Sequence, residues 1–376
     1  MTGPDSAGKK KKHRSGAPDY GLGLTVLILA GFGLVVLYST SSWNGQVKFA
    51  DPAYYLKKQL WATSLGLAVM YGVSCVDYHR WERLAVPGYL ISLGLQAAVL
   101  AFGDEYNGSR RWLSVGPLSF QPSEFAKVAV IVLLARLISS LAKKPVTLRQ
   151  MFVVILPALP LVGLVGTNNL STAIIIMGIA VILIFVASPG YLRFILIGAG
   201  GAGFLAVFLS LESYRLERLA IWRNPEAYEK GYQTMQGLYA IGSGGLFGVG
   251  FGGSLQKLGF VPEAQNDMIF SIVCEELGLA GAVLLISLFV LLIWRLFIIA
   301  LHARDLFGGL LVTGMMGHIL IQVILNIAVV TNAIPNTGIT LPFVSYGGTS
   351  VLFLLAEMGL ALNVSRSHVH RENGIC

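Results

Sequence analysis

Ten stretches of roughly twenty mostly apolar residues recur along this chain, and no other feature restricts its fold as strongly. They run over about 20–40, 58–76, 84–102, 123–141, 149–165, 169–187, 191–211, 268–298, 305–330 and 344–364. A helix crossing the ~30 Å hydrocarbon core of a bilayer needs ~20 such residues, and it satisfies its own backbone hydrogen bonds. Composition agrees. Hydrophobic residues make up 55% of the chain and charged residues 12%, about half the charge usual in soluble domains. That is too little to cover a water-facing surface. The expected fold is an all-α polytopic membrane protein with about ten transmembrane helices. The fifth and sixth stretches almost touch at Thr167, Asn168 and Asn169, which predicts a tight helical hairpin. The first stretch is too long for a cleaved signal, and no small-residue cleavage site precedes a soluble domain.

The formal net charge is +8, from 27 Lys and Arg against 19 Asp and Glu. Their placement argues against nucleic acid as the partner. They lie mostly between the apolar stretches, with Lys9, Lys10, Lys11, Lys12 and Arg14 clustered at the start. That pattern reads as topology and contact with anionic lipid. With the N-terminus inside, the cytoplasmic segments hold fifteen Lys and Arg and the short outer loops five, so both termini are expected to be cytoplasmic. The three cysteines, Cys75, Cys274 and Cys376, cannot form a disulfide framework.

Three regions follow: a disordered basic cytoplasmic tail over 1–17, a transmembrane domain over 18–365, and a short cytoplasmic tail over 366–376. The transmembrane domain carries extracytoplasmic loops at 103–122 and 212–267, the larger one between helices seven and eight. A connection of more than 50 residues is far longer than usual and is commonly functional. Trp222, Tyr228, Tyr232 and Tyr239 give it enough apolar surface to order, so short, partly buried helices lying at the outer face are expected.

Asp267 is the first candidate for chemistry. It stands where the long loop re-enters the membrane, directly before Met268, Ile269 and Phe270. Poor hydration there raises a carboxylate pKa and can make a general base that works near neutral pH. The plainer reading is a cap on the following helix. Arg110 and Arg111 precede Trp112 in the first outer loop, and Arg215 and Arg218 open the second. Guanidinium groups on one face favour a phosphate-bearing ligand, although any one of them could simply reach lipid headgroups. Glu124 and Lys127, spaced i, i+3, can pair at the start of the fourth span. On the ninth, His318, Gln322 and Asn326 form a polar stripe that interhelical hydrogen bonds would explain. Glu275 and Glu276 should face protein and not lipid. The glycine-rich run 240–254 follows no strand and lacks the Lys-Ser/Thr of a phosphate-binding loop. Pro335 and Pro342 predict a rigid outer turn before Gly347 and Gly348.

Four long segments, GSRRWLSVGPLSFQPSEFAK (108–127), GYQTMQGLYAIGSGGLFGVGFGGS (231–254), VPEAQNDMIFSIVCEELG (261–278) and TNAIPNTGITLPFVSYGGTS (331–350), closely resemble the SEDS family (FtsW, RodA, SpoVE), somewhat more its division or sporulation branch. The resemblance covers nearly everything after residue 17. It implies a peptidoglycan glycosyltransferase that polymerises lipid II at the outer face of the bacterial plasma membrane, at the division septum. The implied partners are a class B penicillin-binding protein and other divisome proteins. On the matching motifs it implies Asp267 as the catalytic base, with Arg110, Arg111, Lys127, Glu124, Arg215, Arg218, Gln233 and Ser345 binding substrate. No protein metal centre is expected, though a divalent cation (Mg or Mn) could neutralise the diphosphate. Where the family usually reads Pro-Asp-Leu-Gly-Thr, this chain reads Asn168, Asn169, Leu170, Ser171, Thr172, so an amide replaces the acid. A lipid II flippase or a non-catalytic scaffold would share the helices and glycine breaks. Against the flippase, the halves show no clear repeat.

Overall fold

The computed structural model describes residues 16–106, 109–115, 118–141, 148–188 and 219–367, with Gly198 and Gly203. The expected span at 191–211, the terminal tails beyond those limits, and Arg215 and Arg218 lie outside the described residues. In chain order the helices are α1 (Tyr20–Phe49), α2 (Tyr54–Cys75), α3 (His79–Phe102), α4 (Pro122–Leu141), α5 (Leu148–Ile155), α6 (Ala158–Asn168), α7 (Leu170–Ala187), α8 (Tyr232–Ser243), α9 (Ile269–Leu301), α10 (Leu306–Val330) and α11 (Gly348–Ser365). Among the described residues, six helices are long and apolar enough to cross a bilayer: α1, α3, α7, α9, α10 and α11. Helices α2 and α4 have similar lengths, but charges fall in their first two turns, Lys57 and Lys58 in one and Glu124 and Lys127 in the other. The stretch expected as one span at 149–165 is the pair α5 and α6. Pro157 separates them, and proline cannot donate to a continuing ladder.

The two described ends of the chain meet. Gly16 N donates to Arg366 O at 2.8 Å, and Asp19 N donates to Ser365 Oγ at 2.9 Å. Asp19 also pairs with Arg295 of α9 at 2.5 Å. The opposite end of the bundle carries the two long segments expected on the outside.

The first of these corrects the all-α expectation. Strands β1 (Asp104–Tyr106), β2 (Ser109–Val115) and β3 (Leu118–Phe120) form an antiparallel sheet in the order β1-β2-β3, with Glu105 opposite Arg110 and Leu113 opposite Phe120. The dipeptides between the strands, Asn107-Gly108 and Gly116-Pro117, are turn formers.

In the described part of the second segment, residues 219–267, one helix packs along α9. Helix α8 runs beside the first half of α9 in the same direction, so that Gly237 meets Met268, Gly244 meets Cys274 and Gly248 meets Glu276. With 33 residues, α9 is about 50 Å long, well beyond the ~30 Å hydrocarbon core, and it breaks at Gly278 (φ 65). A break inside a bundle must have its freed backbone groups satisfied by protein. The glycine-rich turn after α8 does this. Val249 N and Gly250 N donate to Glu275 O and Glu276 O at 2.9 and 3.1 Å, and Leu279 N and Ala280 N donate to Gly245 O and Leu246 O at 2.9 and 3.0 Å. Gly248, itself at φ +80, approaches so closely that a Cβ would stand 2.1 Å from Glu276 O. As expected, Glu275 and Glu276 face protein. Glu275 accepts from Ser254 Oγ and from Leu255 N at 3.0 Å. Glu276 takes the Lys257 ammonium at 2.6 Å and the Ser39 hydroxyl at 2.8 Å.

Candidate active site

Asp267 ends the chain's return from the glycine-rich turn, two residues before α9 begins. It does not cap that helix: Met268 holds the cap position, without a side-chain hydrogen bond. Instead its carboxylate meets the side-chain amide of Gln233, which is itself joined to Asn336. Gln233 of α8 donates to Asp267 Oδ1 at 3.3 Å and to Pro262 O at 3.4 Å. The same Gln233 accepts from Asn336 Nδ2 at 3.4 Å. From α10, Asn326 donates to the Asp267 carbonyl at 2.8 Å and to Ile339 O at 2.7 Å, which fixes the backbone on both sides. Gly338 lies across from Oδ2, where a side-chain carbon would sit 4.0 Å away.

Part of Asp267 remains exposed, yet protein atoms crowd around the carboxylate. Removal from water is the largest influence on its pKa and pushes it up; the nearby Glu263 carboxylate adds to this, while hydrogen bonds from its own N–H and from Gln233 oppose it. The result is a pKa raised to about 6 from 3.8. Such a group is ionised at neutral pH and still basic enough to take a proton.

The other expected residues divide into two groups. Arg110 and Arg111 lie on β2, beside the α6–α7 junction, where Arg111 Nε donates to Asn168 O at 2.8 Å and Asn168 Nδ2 donates to Arg110 O at 2.9 Å. With Gln96, Ser123, Asn168 and Asn169 they line a narrow pocket beneath the sheet. Glu124 and Lys127 are turned inward. They pair at 3.0 Å, with side chains 8% and 2% exposed, and Lys127 also donates to Gln322 at 3.3 Å. Ser345 is buried and its Oγ accepts from Leu341 N at 2.8 Å, closing the turn behind the Asn336–Gly338 segment. Among the described residues no group of three or more His, Cys, Asp or Glu could hold a metal ion. Asn336, the partner of Gln233, and Glu357, the partner of His318, were not singled out from sequence. Glu357 had a readable signal, as a lone acid inside an apolar span.

A cell cycle protein family model, FtsW/RodA/SpoVE, matches residues 21–370. The chain belongs to this family. It is 41% identical over 360 residues to stage V sporulation protein E of Bacillus subtilis, covering 93% of this chain and 97% of that protein. It is 36% identical over 365 residues to a probable peptidoglycan glycosyltransferase FtsW of Trichlorobacter lovleyi, covering 95% of each. Among solved structures, a chain from work on how a peptidoglycan synthase complex coordinates polymerization and crosslinking aligns with TM-score 0.79 at 32% identity, covering 94% of this chain and 99% of that one. The rod shape determining protein RodA of Thermus thermophilus aligns with TM-score 0.71 at 31% identity, covering 94% and 98%.

Asn169, which stands where the family usually has an acid, caps α7: its Oδ1 accepts from Thr172 N at 3.1 Å. Its role in the fold is therefore local to that helix and not interhelical. Asn169→Ala is expected to cost about 1 kcal/mol of stability and to keep most of the catalytic activity, read by thermal unfolding alongside a polymerisation assay. Loss of turnover in a well-folded Asn169→Ala protein would show that the side chain does more than cap.

Proposed function

We propose that this chain is a peptidoglycan glycosyltransferase that polymerises lipid II at the outer face of the plasma membrane, at the division or sporulation septum, with Asp267 as the base. The supporting observation is the Asp267 carboxylate, oriented by Gln233, free of any capping role, and raised to about 6. The acceptor sugar hydroxyl gives its proton to Asp267 as its oxygen bonds to the donor's anomeric carbon. The bond from that carbon to the lipid diphosphate breaks, and the diphosphate leaves with the electron pair. One base and no carboxylate nucleophile imply a single displacement that inverts the anomeric centre. Diphosphate needs no proton to leave once its charge is neutralised. Arg110 and Arg111, with Arg215 and Arg218, supply that charge from the outer loops, and Lys127 supplies it from beneath. Gln233 meets the substrate beside Asp267, whereas the buried Glu124 and Ser345 serve binding from behind, by pairing with Lys127 and by closing the turn at Leu341. A divalent cation (Mg or Mn) arriving with the substrate would add neutralisation of the departing diphosphate, and Glu263 is the carboxylate that would help hold it, because such ions need only one or two protein carboxylates beside substrate phosphates. The partner in this reading is a class B penicillin-binding protein within the division machinery.

Purified protein with labelled lipid II, assayed with and without its class B synthase, tests this reading. A ladder of glycan strands is the expected product. Scrambling of lipid II across liposomes without polymer would make the chain a flippase, and neither product would leave it a scaffold.

A further inference from the structure

A chain of buried polar groups crosses the bundle below Asp267 and is not used by the chemistry above. It starts at Glu357 of α11, whose two carboxylate oxygens both stand 3.0 Å from His318 Nδ1 on α10. His318 Nε2 is 2.9 Å from Gln322 Oε1, and the same oxygen accepts from Lys127 Nζ at 3.3 Å. Lys127 pairs with Glu124 at 3.0 Å. All five residues are buried, at most 6% exposed. Donor and acceptor rules fix how the chain is protonated. Lysine can only donate, so the Gln322 oxygen must face it, and the Gln322 nitrogen donates to Thr340 O at 3.0 Å. His318 Nε2 must then carry a hydrogen. Its Nδ1 meets only carboxylate oxygens, so the His318–Glu357 pair holds a second proton. Wherever that proton sits, the His318–Glu357 pair is neutral overall, as the Glu124–Lys127 pair is, and one amide joins the two.

From Gln322 this chain lies one turn of α10 below the residue that holds Asp267. One turn above Gln322 on α10, Asn326 holds the Asp267 and Ile339 carbonyls, while Gln322 holds the next residue, Thr340. At the α4 end, Glu124 Oε2 and Ser123 Oγ are buried with no hydrogen-bond partner among the described residues. That end keeps unused hydrogen-bonding capacity, and Ser123 lines the pocket shared with Arg110 and Arg111. We propose that His318 and Glu357 are positioning residues that act through Gln322 to fix the Lys127 ammonium beneath the diphosphate subsite. The proposal rests on the glycosyltransferase reading, in which charge grows on the departing diphosphate. A fixed cation in a low-dielectric site stabilises that charge most when it need not move.

The test uses the full-length protein, labelled lipid II over a range of concentrations, and thermal unfolding as the control for folding. Lys127→Met is expected to lower kcat roughly tenfold to a hundredfold, the scale of loss when a charged group is misplaced, with KM changed by less than about threefold because the interaction strengthens only in the transition state. His318→Leu combined with Glu357→Leu removes both charges together, so no lone ion is left buried, and should show a loss of the same kind. Added to Lys127→Met, that pair should cost almost nothing more, because it acts through the same ammonium. Should the leucine pair fail to fold, Gln322→Leu keeps both ion pairs, removes the bridge together with the bond to Thr340 O, and carries the same expectation. Wild-type kcat in a folded leucine pair or Gln322→Leu protein, or losses that multiply in the triple variant, would overturn the positioning role. Asp267→Asn in the same assay separates the two readings. Turnover surviving there removes Asp267 as the base, and only a wild type that forms no glycan from lipid II refutes the glycosyltransferase reading, whereas an inactive Asp267→Asn beside a fully active leucine pair refutes only the positioning.

Discussion

Asp267→Asn is expected to slow glycan polymerisation by ~10²–10⁴-fold, the usual contribution of a general base, equivalent to about 3–5 kcal/mol of barrier. The fold should not suffer. Asparagine keeps the side-chain volume, and Asp267 makes no cap that could be lost. Its pKa is about 6 in the folded chain against 3.8 without the fold, so the folded state binds the proton more tightly. Below pH ~4 the carboxyl is protonated in both states and contributes no penalty. Between about pH 4 and 6 the unfolded carboxylate ionises first, and stability falls by roughly 1–3 kcal/mol, toward the lower figure because the group is partly exposed. The asparagine variant lacks this penalty, so at neutral pH its unfolding temperature should equal or exceed that of the wild type. Activity runs the opposite way with pH. The wild-type rate should climb as pH rises through about 6, and the residual rate of the variant should lack that limb. Near-normal glycan synthesis by a stable Asp267→Asn protein would remove Asp267 from the chemistry and make Glu263 the next candidate.

Much of this arrangement was legible in the sequence, for reasons that differ by residue. Six spans were readable because a bilayer sets both length and composition, and most of their expected boundaries fall within a few residues of the described helices. Asp267 was readable because a charge directly before an apolar run is expensive. The stripe of His318, Gln322 and Asn326 was readable because i, i+4 spacing puts all three on one face. Side-chain direction and non-local pairing were not. Helical spacing brought Glu124 and Lys127 together, but only the packing of α4 against α10 turns the ammonium toward Gln322. The sheet at 104–120 was masked by an overall helical composition. The break at Gly278 was hidden because α9 remains apolar throughout, and its backbone partners, Gly245 through Gly250, lie some thirty residues earlier. A glycine-rich run tells of close approach without naming what is approached.

The second large effect is expected at the junction those glycines create. Lys257 is 5% exposed and its ammonium sits 2.6 Å from Glu276 and 3.0 Å from Ser39 Oγ, while Ser39 donates to both Glu276 oxygens at 2.8 Å. This cluster ties α1, α9 and the chain returning from the glycine-rich turn to one point, next to the backbone bonds that satisfy the Gly278 break. Removing one member leaves the other charge buried without its partner, which typically costs about 3–5 kcal/mol. Removing both leaves no lone ion, and apolar replacements of similar volume are often close to neutral. Lys257→Met and Glu276→Leu are therefore each expected to lower the unfolding temperature sharply, whereas the double variant should recover much of the loss. Because the same chain carries Asp267 into place, the single variants should also lose polymerase activity before they unfold globally. Thermal unfolding of the three proteins in detergent decides the matter. If both single variants stay within about 1 kcal/mol of wild type, the level of an exposed ion pair, then the pair does not hold this segment, and the backbone bonds around Gly278 must suffice alone.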